Sequence, residues 1–232
     1  MDQARLKAVS ECMMRAGFPD YRAPEPLSSH WADDGASLPE FGDGTLDPEG
    51  APGAPPDQTP PPSPAEQEAL DGSGTLIEVT SADGQVASTG KDGCWAEGDL
   101  AVLGGEEGYR ERTLTLMALR NLQVEAEQRF MEDSSVQETR RAWSDCMGSR
   151  GWKVASSSEL ASLQPIGTEW SQWAGAQDGV ACTADVNAIA TLMPIMVEKE
   201  RAVLAEQPGV GTAWQETQAR IIANAKAVLG VA

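Results

Sequence analysis

With a single histidine, His30, and four cysteines of which no two form a CxxC pair, this chain has little to offer most enzyme mechanisms or zinc sites. A Ser/His/Asp or Cys/His mechanism would have to run through His30, which stands in Ser28-Ser29-His30-Trp31-Ala32-Asp33-Asp34 and reads as a surface histidine. Neither a G-x-S-x-G elbow nor a Gly-rich P-loop occurs. No apolar run approaches the roughly 20 residues that cross a bilayer. Basic residues are scarce too: 17 Lys and Arg against 36 Asp and Glu leave a net charge of −19. Such a chain repels a phosphate backbone or an anionic membrane surface, so nucleic acid is not an expected partner. The acidity reads first as a solvated surface and second as a preference for a cationic partner or metal ions.

Carboxylates are abundant enough for a two-carboxylate glycosidase, but abundance singles out no pair. Asp43, Asp47 and Glu49 have the hard oxygens calcium prefers, yet Phe41-Gly42-Asp43-Gly44-Thr45-Leu46-Asp47 departs from the EF-hand pattern. The expectation is a non-catalytic protein that needs no cofactor and no metal.

The cysteines, at 12, 94, 146 and 182, form an even, widely spaced set that suits two disulfides and therefore an oxidising, extracytoplasmic compartment. The opening Met1-Asp2-Gln3-Ala4-Arg5 has no apolar signal-peptide core and runs abruptly into a helical pattern. The expectation is that Met1 replaces a removed export signal or lipid-anchor tether. The protein would then be secreted or lipid-anchored at the cell surface, touching membrane only through that anchor.

Along the chain, residues 1–23 read as a first cysteine-bearing helix, with Ala4, Leu6, Val9, Met13 and Met14 at helical spacing and Gly17 as its stop. Residues 24–72 are rich in Pro, Gly and Asp, culminating in Pro60-Pro61-Pro62-Ser63-Pro64, and read as a linker or long loop. Residues 73–108 hold a β-hairpin, Thr75–Thr80 and Gln85–Ala87 around an Asp83-Gly84 turn, followed by the second cysteine segment. Residues 109–232 read as a helical core: Glu111–Asp133, Val136–Ser149, Ala181–Glu206 with a kink or break at Pro194, and Thr212–Leu229 after a Pro208-Gly209 connection. Leu116, Leu119, Leu122, Val124 and Phe130 are assigned to one buried face, and the four segments to one domain with most of its core towards the C-terminus.

The most informative pattern is an internal repeat. Glu11-Cys12-Met13-Met14-Arg15-Ala16-Gly17-Phe18 matches Asp145-Cys146-Met147-Gly148-Ser149-Arg150-Gly151-Trp152 as acid-Cys-Met-x-x-x-Gly-aromatic. Each reads as a helix end with a left-handed glycine stop. Lys91-Asp92-Gly93-Cys94 and Gln177-Asp178-Gly179-Val180-Ala181-Cys182 both read as helix starts. Duplication favours pairing within each half, Cys12 with Cys94 and Cys146 with Cys182, each staple adding roughly 3 to 5 kcal/mol. The swapped pattern, Cys12 with Cys182 and Cys94 with Cys146, keeps the same symmetry.

In its CMxxxG-aromatic helix end (12–18), its Gly93-Cys94-x-x-Glu97 segment and its Trp143-x-x-CMxxxG-aromatic helix (143–152), the chain resembles a loose group of uncharacterised secreted proteins and lipoproteins of actinobacteria. The resemblance spans most of the chain outside the Pro-rich segment. It implies a cell-envelope location and structural disulfides, and no activity.

Seven tryptophans against three Phe and two Tyr are unusual. Trp95, Trp143 and Trp152 adjoin the cysteine motifs and are expected to pack around the disulfides. Trp170 and Trp173, in polar surroundings, together with Trp31, are the candidates for contact with a ligand or partner. Two functions follow: a protein-binding or accessory domain of the cell envelope, or a module that binds cell-wall glycan or a small molecule on exposed indoles.

Overall fold

The computed structural model describes residues 1–23 and 61–231. His30, Trp31, the acids at 43, 47 and 49, and the Pro-rich tract up to Pro60 lie outside the described residues. The described chain is mainly α with one small β-hairpin, as the sequence indicates. Its elements are α1 (Asp2–Arg15), α2 (Pro64–Asp71), β1 (Leu76–Thr80), β2 (Val86–Gly90), α3 (Cys94–Leu103), α4 (Gly105–Met131), α5 (Ser134–Ser149), α6 (Ser157–Ser162), a 3-10 turn (Trp170–Gln172), α7 (Ala174–Asp185), α8 (Ala188–Glu206) and α9 (Pro208–Leu229). These gather into two compact units. The first comprises the N-terminal segment, 61–121 and 207–231, and the second 122–206. The core is shared between these units, where the sequence places most of it towards the C-terminus. The N-terminal helix carries a full apolar stripe of its own, and the last helix returns to cover it.

In the first unit α1 buries Ala4, Ala8, Val9 and Met13, positions that recur at helical spacing. Gly98 on α3 allows the close approach: a Cβ there would sit 2.5 Å from Val9 Cγ2. Ala4, Val102, Ile221 and Ala225 form a common core from α1, α3 and α9. At the rim of this layer Arg5 pairs with Asp99 at 2.5 Å, its guanidinium 5.1 Å from the Trp95 ring, and Arg15 pairs with Glu97. Asn224 donates to the Val102 carbonyl at 3.1 Å.

Residues 61–72, assigned to the linker, correct that boundary. Ser63 accepts from the Glu66 N–H while the Glu66 carboxylate accepts from Ser63, a capping box with Pro64 at the first helical position, and Leu70 is buried. The backbone after α2 crosses the backbone before α3 at two glycines. A Cβ on Gly72 would lie 2.5 Å from Asp92, and one on Gly93 would lie 2.5 Å from Gly72.

The hairpin pairs Leu76 with Gly90 through Thr80 with Val86, turning Ile77 and Val79 inward against Tyr109. Its second strand runs to Gly90, beyond the expected Ala87. Its turn is tied to α4 by polar groups. Asp83 accepts from Ser81, from Asn121 Nδ2 at 2.9 Å and from Gln85 Nε2 at 2.8 Å. These bonds, Ser81 foremost, then Asn121, hold the Asp83 carboxyl down at about 2.

The second unit is built on the last turns of α4, where Leu122, Ala126 and Phe130 are buried. Val124 corrects the expected stripe. Two residues beyond Leu122 it points about 200° away and is exposed. Phe130 packs with Val136, Ala188, Leu192 and Met196. Asp133 caps α5 by accepting from the Ser135 N–H at 3.0 Å and pairs with Lys199 at 3.0 Å.

The helix expected over 181–206 is two helices, and the break is not at the proline. The chain turns at Val186-Asn187, where Asn187 takes a φ of 51°, and α7 and α8 are bent by 72°. Asparagine tolerates that left-handed conformation better than most side chains. Pro194 sits inside α8 without ending it, and Pro208 begins α9 as its first residue. Among the described residues no single helix is long and apolar enough to cross a membrane.

Candidate functional site

The cysteines form disulfides within each unit, Cys12–Cys94 with Cα atoms 5.4 Å apart and Cys146–Cys182 with Cα atoms 5.7 Å apart. All four thiols are consumed, so none is a nucleophile or a metal ligand. Two disulfides are consistent with an extracytoplasmic location. The matched helix ends have matching hydrogen bonds. Phe18 N–H donates to Met13 O at 2.9 Å and Trp152 N–H to Met147 O at 3.0 Å, while Gly17 donates to Met14 and Gly151 to Gly148. Gly17 and Gly151 take φ values of 97° and 95°. This double bond pattern ends a helix and lets the next residue fold back, which buries Met13 and Met147 completely.

The match stops at the second cysteines. Cys94 is the first residue of α3, as expected, but Cys182 lies near the end of α7 and not at a helix start. Gly175 and Gly179, ahead of Cys182, lie inside α7 and serve packing. A Cβ on Gly175 would lie 2.5 Å from the Trp173 ring, and one on Gly179 would lie 3.0 Å from Leu160 Cδ2. The Gly179 carbonyl accepts from Trp143 Nε1 at 3.3 Å.

Trp170 and Trp173 come together with Trp152, but inward. The Trp173 ring stands edge-on to Trp152 at 5.4 Å and to Trp170 at 5.3 Å. Trp173 is buried and Trp170 half-buried in a cluster with Trp143, Met147, Leu160 and the Cys146–Cys182 bridge. Trp152 Nε1 donates to Asp178 at 2.9 Å, and Arg150 bridges Asp178 and Asp185 at 3.0 Å each. The indole and then the guanidinium lower the Asp178 pKa. Trp95 is half-buried beside Cys12 and Cys94. Trp143, Trp152, Trp170 and Trp173 thus pack around one staple and Trp95 beside the other, and the reading of Trp170 and Trp173 as an exposed platform is corrected; Trp31 lies outside the described residues.

Two surface hollows among the described residues bear on binding. One, of about 680 Å³, lies along Lys91–Gly93 and α3 in the first unit. Its charged groups are largely satisfied: Lys91 pairs with Glu106 at 3.1 Å, Glu97 with Arg15, and Asp92 accepts from the Ser73 N–H at 3.0 Å. The other, of about 480 Å³, is lined by Met193, Pro194, Val197, Glu198 and Arg201 of α8.

That second hollow belongs to a larger feature. Helix α8 buries Ala188, Leu192, Met196 and Val203. Shifted by one residue, Ile189, Met193, Val197 and Leu204 repeat the same spacing as a second apolar stripe. Ile189 is 42% exposed, Leu204 is 39% exposed, and Met193 and Val197 are half-buried. An amphipathic helix needs one apolar face to reach a core, and α8 has two. Sequence reading missed it because both stripes merge into one apolar run, Ile189-Ala190-Thr191-Leu192-Met193-Pro194-Ile195-Met196-Val197. The signal available was that this run is apolar on every side while the protein around it is strongly acidic.

Among the described residues no group of three or more His, Cys, Asp or Glu side chains is placed to hold a metal ion. Compared with models of protein families, with curated proteins and with solved structures, the chain matches none.

Proposed function

We propose that this is a non-catalytic, extracytoplasmic protein-binding or accessory domain of the cell envelope, secreted or lipid-anchored, that meets its partner through the outer face of α8. The observation that carries this reading is the second apolar stripe of α8, with Ile189 and Leu204 exposed, Val197 half-buried and Met193 half-buried against the core, beside a hollow of about 480 Å³. Contiguous exposed apolar surface on a folded domain marks an interaction site more often than scattered single residues do. Methionine at its centre adapts to a partner's shape. The disulfides support the compartment, and the resemblance of the cysteine motifs to those of envelope proteins of actinobacteria points the same way. The burial of Trp173 and the edge-on packing of Trp170 weigh against the glycan alternative, which needs flat exposed rings.

The test is a photo-reactive amino acid in place of Met193, with the same residue in place of the exposed Gln215 on α9 as control. The expected outcome is one discrete protein adduct from position 193 in the native envelope, none from 215, and loss of the adduct when Ile189 and Leu204 are both changed to serine. Equal labelling from both positions, or none, contradicts the reading.

A further inference from the structure

The two disulfides meet opposite ends of the helices that carry their second cysteines. Cys94 is the first residue of α3, and the N-cap before it, Gly93, has no side chain to satisfy the N–H groups of the first turn. Those groups form the positive end of the helix dipole, which favours a thiolate on Cys94. Asp92, one residue further back, gives its Oδ2 to the Ser73 N–H at 3.0 Å. Cys182 stands at the other end of its helix, in the last turn of α7, where its carbonyl accepts from the Val186 N–H at 3.1 Å. There the negative end of the dipole opposes a thiolate.

The charges beside the two bridges differ in the same sense. Near the first, three carboxylates each have a cation of their own: Glu11 pairs with Lys7 at 3.1 Å, Asp99 with Arg5 at 2.5 Å, and Glu97 with Arg15. Near the second, Asp178 and Asp185 share Arg150, and Asp185 Oδ2 lies 4.0 Å from Cys146 Sγ. In both bridges the second cysteine, Cys94 or Cys182, is fully buried, while the first, Cys12 or Cys146, is half-buried. A thiolate arriving from solvent therefore meets Cys12 or Cys146 and expels the buried sulfur. At Cys146 it meets a carboxylate as well, and the sulfur it must expel is the one at the negative helix end.

We infer that Cys12–Cys94 is a redox switch, opened by a dithiol through attack at Cys12, and that Cys146–Cys182 is the permanent staple. One thiolate of the dithiol bonds to Cys12 Sγ as the Cys12–Cys94 bond breaks, and the bonding pair leaves on Cys94 Sγ. The second thiolate of the dithiol then displaces Cys12 Sγ and closes the oxidised dithiol, so two electrons pass to the bridge. Cys12 and Cys94 end as thiols with the two protons that the dithiol gave up. Opening unlinks α1 from α3 in the cluster that holds Phe18, Tyr21 and Leu70, within the first unit. The switch stands whether or not α8 meets a partner.

The experiment equilibrates the full chain without denaturant at graded ratios of reduced to oxidised dithiothreitol, traps thiols by acid and alkylation, and maps which cysteines are labelled. Cys12 and Cys94 should be labelled together at a ratio at least about tenfold less reducing than Cys146 and Cys182 require. With the monothiol glutathione, the adduct should form on Cys12 and the free thiol appear on Cys94. Asp185→Asn, at a solvent-facing carboxylate, should make the second bridge several-fold easier to open and leave the first unchanged. Amide exchange after the first opening should rise in α1 and α2 and stay constant in α5 and α7.

Equal midpoints for the two bridges, or earlier opening of Cys146–Cys182, overturns the inference. So does a first bridge that opens only when the near-UV circular dichroism of the whole chain is lost, because opening is then unfolding and not a switch. Glutathione found on Cys94 overturns the direction of attack. A second bridge unmoved by Asp185→Asn overturns the carboxylate as a source of the difference, which then rests on the helix ends alone.

Discussion

The two units end a cysteine-bearing helix in the same way and then bridge it differently. In the first, Cys12 reaches the first residue of α3, and the two helices pack along their length because Gly98 admits Val9. In the second, Cys146 reaches Cys182 near the end of α7, and the space between helices is filled by indoles. A repeated eight-residue motif therefore specifies a helix end, with its glycine stop and buried methionine, and leaves the geometry of the bridged helix to whatever surrounds it. What surrounds each bridge differs: Gly98 lets the two helices close up in one unit, and four tryptophans fill the gap in the other.

The comparison breaks most visibly at the staples. Changing both members of one cysteine pair to serine is expected to cost about 3 to 5 kcal/mol, with the Cys12–Cys94 loss larger by about 0.7 kcal/mol on loop length alone. Their sequence separations are 82 and 36. Hydrogen exchange resolves the two units separately, and each loss should be confined to the unit that lost its staple. A change spread evenly over both would mean that the units are one cooperative body.

Next come the shared methionines. Met13→Ala and Met147→Ala each empty a fully buried position and should each cost about 2 to 5 kcal/mol in chemical denaturation. A cost at one and none at the other would dissolve the equivalence of the two helix ends. At the glycines the expected effects are smaller and instructive in sign. Gly17→Ala and Gly151→Ala place a Cβ in the left-handed region and should cost about 1 to 2 kcal/mol each. Gly148→Ala, inside α5 with nothing within 4 Å of the added methyl, should stabilise by about 0.5 to 1 kcal/mol.

The smallest effect sharpens the comparison from outside the repeat, since among the described residues the hairpin belongs to the first unit. Asp83 titrates at about 2 in the folded chain against an ordinary 3.8. Its depressed pKa means that the ionised carboxylate is the form that ties the turn to Asn121. That tie is fully present above pH 4 and is lost as pH falls from about 4 towards 2. Amide exchange of the hairpin should accelerate over this window while α5 to α8 keep their protection. Asp83→Asn should remove the pH dependence.

Much of this architecture was legible before any coordinates. The hairpin, the helix stops at Gly17 and Gly151 and the pairing preferred for the cysteines follow from turn residues, glycine and a repeated motif, all of which act locally. The errors share a cause of a different kind. Pro194 was assigned to a break and Gly179 to a helix start by their propensities, but α8 carries its proline at an exposed position, and Gly179 is needed where α7 passes close to Leu160. Asn187 makes the real break, a role any asparagine can take but few do. The cap of α2, Ser63 with Glu66, was present in the letters and was obscured by the prolines before it. The α8 face was invisible as a site because its residues are ordinary core residues, and only their exposure distinguishes them.

Non-reducing peptide mapping of the protein taken from its own compartment, with free thiols trapped on harvest, tests the central claim most directly. The account predicts two linkages, Cys12 to Cys94 and Cys146 to Cys182, and no alkylated cysteine. Four trapped thiols would contradict both the separately stapled units and the extracytoplasmic setting on which the proposed function rests, and linkages of Cys12 to Cys182 and Cys94 to Cys146 would contradict the separately stapled units.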